Sequence, residues 1–377
     1  MTPLELFFDL VFVLALTQCT TLMAAEPTWA GLGKGFLVLG VLWWAWVGYS
    51  WLTSVVDPEE GAVRLVIFGA MAALLVVALC VPDAFGDTAL LFAIAYGLVR
   101  AAHIALFLLA SRDQPMLRQS VLGLAGGSAL GVGLLVAAAF ADGWLQGGLW
   151  LLALLLDMGE PFLFGAEGWQ LVPHHFAERH GLIVIIALGE SIVAIGVGAD
   201  GVGVDAGVVV AATLGIAVAS AVWWLYFDVV SMLAERDLAA LPPGRERNER
   251  ARDCYSYLHF PMVAGIVFSA LGLKKTIADV GEPLDIVIAT ALLGGTAAYL
   301  LAHVAVRLRN VHTVNRHRLV CAIAMVAFLP VAVEVPAIVT LAFIAVALAV
   351  LIGLESIRFA GSRARVRRQL LEESGSS

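Results

Sequence analysis

Glu5 and Asp9 stand four residues apart in the apolar run Glu5-Leu6-Phe7-Phe8-Asp9-Leu10-Val11-Phe12-Val13. Four residues is about one helical turn, so both carboxylates share a face roughly 6 Å apart. An acid inside a membrane span costs roughly 2.5–3.5 kcal/mol at the bilayer centre on insertion scales, so it persists only with a partner or a task. Two anions on one turn repel, which calls for a proton on one of them or a cation between them. The same cost recurs along the chain at Arg100, His103, Asp157, Glu160, Glu190, Asp228, His259 and His303. Such groups can take and release a proton or bind a dehydrated cation.

Glu190 is the first candidate. It lies twelve residues past Glu178, which at 1.5 Å per residue puts it about 18 Å into a helix, near the bilayer midplane. Ala187, Ser191, Ala194 and Gly198 form a small-residue stripe beside it. Such stripes let helices approach closely, so the acid faces protein or water and not lipid. The alternative is a protonated Glu190 hydrogen-bonded to a neighbour as interhelical glue. Glu178-Arg179-His180 opens the same helix, either as a start with Glu178 favoured by the dipole and Arg179 as a cytoplasmic anchor, or as a gate for protons. His174, His175 and Glu178 lack the further ligands a metal centre needs, and no metal or other cofactor is expected.

Arg100 and His103 share one helix face at i,i+3 and are the expected counter-charges, with Arg100 paired to Glu190 or Asp9. Asp157 and Glu160, just before Pro161, are expected to emerge at the cytoplasmic interface. Asp228 follows Trp223-Trp224-Leu225-Tyr226, the pattern of an aromatic belt with an acid in the headgroups. His259 before Pro261 can cap a broken helix facing a cavity, or be an ordinary buried histidine. His303 sits in the tenth apolar run.

The elements that must hold these groups are membrane helices. Mean hydropathy is +0.94, with 61% hydrophobic and 14% charged residues, far from the balance of a soluble domain. Twelve apolar runs lie near 4–24, 31–53, 62–82, 88–110, 117–140, 145–165, 180–199, 206–228, 255–273, 284–306, 318–334 and 336–356. The last two split at Glu334-Val335-Pro336, so the span count is ten to twelve. The fold class is therefore all-α, a polytopic helical bundle. With both termini inside, eighteen arginines face the cytoplasm and only Lys34, Lys274 and Lys275 face outside, a strong positive-inside asymmetry.

Dividing the chain into halves, 1–165 and 180–356, with a cytoplasmic linker at 166–179 and a basic cytoplasmic tail at 357–377, exposes an internal likeness. Phe8–Gln18 lines up with His180–Glu190, Trp43-Trp44 with Trp223-Trp224, and His103 with His303. Six spans per half would make the repeats parallel. The four cysteines (Cys19, Cys80, Cys254, Cys321) are scattered and read as buried small hydrophobes.

Glu5-Leu6-Phe7-Phe8-Asp9-Leu10-Val11-Phe12-Val13-Leu14-Ala15-Leu16-Thr17-Gln18 resembles the opening signature of the bacterial low temperature requirement A family. The stretch His174 to Gly196 resembles its central signature, and the blocks Trp223–Asp228 and His259–Ile266 match further family segments in order. The resemblance implies a multi-pass protein of the bacterial inner membrane; it names no substrate. A looser likeness links Phe8-Asp9 to the aromatic-acid motif heading each six-span repeat of the lysosomal potassium channels.

No nucleic-acid partner is indicated, and no Gly-x-Ser-x-Gly, phosphate loop, His-Glu-x-x-His or Rossmann run occurs, which argues against a soluble-type enzyme. The reading is proton- or cation-linked transport, as carrier or channel, with the lipid bilayer and a small cation, proton or small solute as partners and homo-oligomerisation left open. The path would be lined by Glu190, Asp9, Glu5, Arg100, His103, His180, Glu178, His259 and His303. An intramembrane enzyme acting on a lipid-borne substrate, or a structural stress-adaptation protein, are the alternatives. The charge asymmetry predicts that a cysteine replacing Arg247 reacts with an impermeant thiol reagent only after the cells are opened. Labelling in intact cells would invert the topology.

Overall fold

A computed structural model describes residues 1–163, 168–228 and 230–374, with side chains through residue 358. Among them the secondary structure is helical, with one isolated bridge between Pro283 and Pro336. The helices are α1 (Pro3–Ala25), α2 (Trp29–Leu52), α3 (Gly61–Cys80), α4 (Ala89–Ala110), α5 (Pro115–Ala138), α6 (Gly143–Leu163), α7 (Pro173–Ala199) and α8 (Ala206–Phe227). They are followed by α9 (Val230–Ala240), α10 (Arg245–Ala251), α11 (His259–Ala278), α12 (Ile286–Ala289), α13 (Gly295–Val311), α14 (Arg316–Ala332) and α15 (Ala337–Ser374). Among the described residues, ten helical runs are long and apolar enough to cross a membrane. The helices α6 and α14 pack between those runs and bring the bundle to twelve long elements.

The expected spans match these helices, with informative shifts. α7 starts at Pro173 and not at residue 180, because proline is suited to the first helical position, where its missing N–H is not needed. Arg179 is thereby carried from the expected loop into the helix. The expected end of the sixth run, at 165, lies outside the described residues. Two runs are interrupted by π-helical turns, Arg252–Tyr257 between α10 and α11 and Thr290–Gly294 between α12 and α13. α15 continues well past the expected end of the last span at 356.

The second half packs as the first does. α1 packs on α2 and α3, α3 on α4, α4 on α5, α5 on α6, and α6 returns to α2. Likewise α7 packs on α8 and α11, α11 on α13, α13 on α14, α14 on α15, and α15 returns to α8. α1 and α7 meet at the centre, with α11 against both. The paired tryptophans are not equivalent, since Trp43 and Trp44 are buried while Trp223 and Trp224 are exposed. Exposed leucines, valines and phenylalanines such as Leu65, Leu98, Leu155 and Val350 cover the outside of the bundle, the surface that lipid solvates.

Small residues set the closest approaches. A Cβ on Gly265 would lie 2.4 Å from the Gly295 carbonyl oxygen, and one on Gly295 would lie 2.6 Å from the Gly265 carbonyl oxygen. Backbone cannot yield as a side-chain tip can, so α11 and α13 must separate to admit a methyl group. Gly265→Ala should therefore destabilise the detergent-solubilised protein by about 1–3 kcal/mol, seen as a lower thermal-unfolding midpoint. An unchanged midpoint would show that the two backbones do not touch.

Candidate functional site

Successive long helices reverse direction, so the N-terminal ends of α1, α7 and α11 gather with the C-terminal ends of α2, α4, α6 and α13. Most of the buried ionisable groups lie near this end, in three groups.

The first centres on Arg179. Its Nη2 donates to Asp9 Oδ1 at 2.7 Å, and its Nη1 donates to Thr53 Oγ1 at 2.8 Å and to the Tyr49 carbonyl at 3.3 Å. Glu5 Oε1 lies 3.6 Å from Nη1. Trp46 donates its indole N–H to the same Asp9 oxygen at 2.8 Å and lays its ring beneath the guanidinium, 5.5 Å from the centroid. His175 Nε2 meets Glu5 at 2.9 Å. Arg179 and Asp9 are 0% exposed and Glu5 is 2% exposed, so these charges compensate one another away from solvent. Glu5 also closes a capping box: its carboxylate accepts from the Thr2 backbone N–H at 2.9 Å while Thr2 Oγ1 accepts from the Glu5 N–H at 3.3 Å.

The second group joins α4, α5 and α6. Arg100 donates to Ser128 Oγ and lies 3.6 Å from Asp157 Oδ1; Tyr96 donates to Asp157 Oδ2 at 3.1 Å. Asp157 and Glu160 are buried, not emerging at the interface as their place before Pro161 indicated. Asp157 is drawn inward by Arg100, whose expected partners, Asp9 and Glu190, are taken up elsewhere. Among the described residues, both Glu160 oxygens and both His103 ring nitrogens are buried without a hydrogen-bond partner. α2 comes close enough to touch this group only because position 48 is glycine, where a Cβ would lie 2.9 Å from the His103 ring.

The third group is aromatic. His259 Nδ1 donates to the Cys254 carbonyl at 2.8 Å, leaving Nε2 to accept from the Tyr226 hydroxyl at 2.8 Å. Cys254 lies in the widened π turn, which frees carbonyls from the helical ladder; Ser256 in the same turn accepts from Trp43 Nε1 at 2.8 Å. His180 donates from Nδ1 to the Phe176 carbonyl at 2.8 Å, and its ring lies 5.3 Å from His259, 5.1 Å from Tyr255 and 4.9 Å from Trp46. Tyr226 also contacts His303, 6.0 Å between ring centroids. Among the described residues, His303 has no partner at either nitrogen.

Glu190 stands apart. It lies seventeen residues past Pro173, about 26 Å along α7 at 1.5 Å per residue and so nearer the opposite end. Its two oxygens accept from Thr17 Oγ1 and Thr20 Oγ1 of α1, each at 2.6 Å. Each hydroxyl has one proton and also faces a carbonyl of its own helix, at 3.0 and 2.9 Å. An ionised Glu190 takes both protons; a protonated one releases a hydroxyl to turn back to its helix.

Glu178 sits at the rim, 2.9 Å from the Met1 nitrogen. His174 meets Glu235 at 2.8 Å, so His174, His175 and Glu178 turn to three different partners. Among the described residues no group of three His, Cys, Asp or Glu is arranged to hold a metal ion. All four cysteines are free and buried.

The family model for the bacterial low temperature requirement A protein (LtrA) matches residues 1–353. The chain belongs to this family. It is also 29% identical over 307 residues to an uncharacterised protein, RA0937, of Rhizobium meliloti (strain 1021), covering 78% of this chain and 74% of that one. No solved structure matches. The two segments that carry the resemblance meet here in space, since Glu5 and Asp9 come from one and His175, Arg179 and Glu190 from the other.

Sequence reasoning read Arg179 as a cytoplasmic anchor or proton gate and Tyr226 as part of an aromatic belt, and it passed over Trp46, Thr17, Thr20 and the capping box. Only the last had a local signal, Thr2-Pro3-Leu4-Glu5. The threonine pair yields a prediction. Thr20→Val should strip a donor from buried Glu190 and cost about 1–3 kcal/mol, measured as a lower unfolding midpoint in detergent. A Thr20→Val protein as stable as the parent would show that Glu190 does not depend on α1.

Proposed function

We propose that this family member is a proton- or cation-linked transporter of the bacterial inner membrane, with both termini cytoplasmic. The observation carrying this reading is the file of ionisable and hydrogen-bonding rings between a surface cleft and the buried Arg179–Asp9 group. The cleft has a cavity volume of about 300 Å³ between α7, α8, α9 and α11, with Glu178, Glu235 and His174 at its walls and Tyr226, Tyr255 and His259 further in. Beyond His259 the His180 ring follows in contact, and Trp46 next to it, a donor only, orients Asp9 by its indole hydrogen bond.

Imidazole and phenol groups in series can accept a proton at one atom and release it at another. His259 is set up for this, since its two nitrogens hold opposite roles, donor to Cys254 and acceptor from Tyr226. Beyond Asp9 the interior of α1 is apolar at Phe12, Ala15 and Leu16, before Thr17, Thr20 and Glu190. An apolar stretch between two polar groups is the place where a transporter can close its path. Glu190 and its threonines form the polar group on the far side, and Arg100, His103 and His303 flank the file.

The test is flux in proteoliposomes carrying a pH-sensitive dye, with monovalent cation gradients imposed across the membrane. The parent protein should move protons or cations faster than empty liposomes. Tyr226→Phe, which removes the hydroxyl and keeps the ring, should slow proton-linked flux at least tenfold while the protein stays folded. Parent liposomes no leakier than empty ones, or full flux in Tyr226→Phe, would contradict the reading.

A further inference from the structure

A second cleft lies beside α2, walled by α2, α4, α5, α6 and the π turn, with a cavity volume of about 70 Å³. Its walls are largely apolar and strongly aromatic: Trp44, Trp51, Phe107 and Trp169 line it. Trp169 stands edge-on to both Trp51 and Phe107, at 5.7 and 5.1 Å between ring centroids. Glu160 and His103 also line the cleft, each buried and, among the described residues, without a hydrogen-bond partner at any side-chain polar atom.

The charges around it do not balance. Arg100 faces two carboxylates, Asp157 at 3.6 Å and Glu160, and its guanidinium is already engaged by Asp157 and Ser128. Arg252, the other cation on the wall, is held by Asp253 at 2.8 Å and by the Pro161 carbonyl at 3.3 Å, and stacks on Phe162 at 4.2 Å. Glu160 is thus the acid on this wall for which the described residues supply no cation of its own. A buried acid in such surroundings takes either a proton or a positive charge brought from outside. Rings of tryptophan around it favour a cation that is weakly hydrated and can sit against aromatic faces.

We propose that this cleft binds an organic ammonium ion, its charge against Glu160 and its apolar part among Trp44, Trp51, Phe107 and Trp169. His103 supplies a polar atom beside the ammonium head. This names a ligand class within the transport reading and rests on that reading only for the fate of the ion once bound. An equilibrium binding measurement, which sees no flux, therefore succeeds or fails separately from the proteoliposome assay.

Benzyltrimethylammonium is a suitable probe and benzyl alcohol its uncharged counterpart, with tryptophan fluorescence of the purified full-length protein as readout. Benzyltrimethylammonium should quench saturably, and benzyl alcohol at equal concentration should not. Glu160→Gln should weaken binding at least tenfold, while Glu160→Asp, which keeps the charge, should lose less. The parent comparison of the two probes stands even where a variant fails to fold. Equal binding of the alcohol, or an unchanged affinity in Glu160→Gln, would overturn the proposal.

Discussion

Arg179 is the residue on which the arrangement of helices depends. A guanidinium with no exposed surface must draw its partners from protein, and those of its two terminal nitrogens come from two other helices, while Nε has none among the described residues. Asp9 and Glu5 bring α1 to α7; Thr53 and the Tyr49 carbonyl bring the end of α2; Trp46 covers the plane of the charge. Removing any of these strands the rest in a medium that solvates charge poorly. The first and seventh helices are thus fixed together at one end by an ion pair, and near the other by Glu190 and two threonines. Between these two ties the α1 interior is apolar.

The same requirement separates structural from functional groups. Arg318 and Glu355 are paired at 2.9 Å between α14 and α15, with Asn315 and the Leu225 carbonyl beside them, so that, among the described residues, only the Nη1 of this guanidinium lacks a partner. Glu160, His103 and His303 are different, because burial has removed their water without supplying a partner among the described residues. Unanswered polar atoms inside a membrane bundle are where protons, cations or solutes have something to gain. They occur in both halves of the molecule, His103 on α4 and His303 on α13, which occupy corresponding places in the packing order.

Much of the fold was legible in the sequence, since uninterrupted apolar runs have no stable state in a bilayer other than helix. The positions of Glu5, Asp9, Arg100 and the histidines within those runs were legible for the same reason. Their partners were not. Arg179 lies at the edge of its apolar run, where the pattern of arginines near membrane ends made an interfacial anchor the natural reading. Its contact with Asp9 spans 170 positions, a separation about which periodicity says nothing. Asp157 was misplaced because a carboxylate before a proline resembles a helix end, whereas Arg100 holds it inside. The π turns were also invisible, because the extra residue leaves hydropathy unchanged and alters only which carbonyls are free.

The central claim is that Arg179 and Asp9 form one buried, mutually dependent unit joining α1 to α7. A double-mutant cycle with Arg179→Ala, Asp9→Asn and the combined variant, read by unfolding in a single detergent, measures that dependence directly. A coupling energy of about 1–3 kcal/mol, the double change costing less than the two single changes together, is the expected result. Costs that add to within about 0.5 kcal/mol would contradict the account, because independent sites behave that way and a buried ion pair does not.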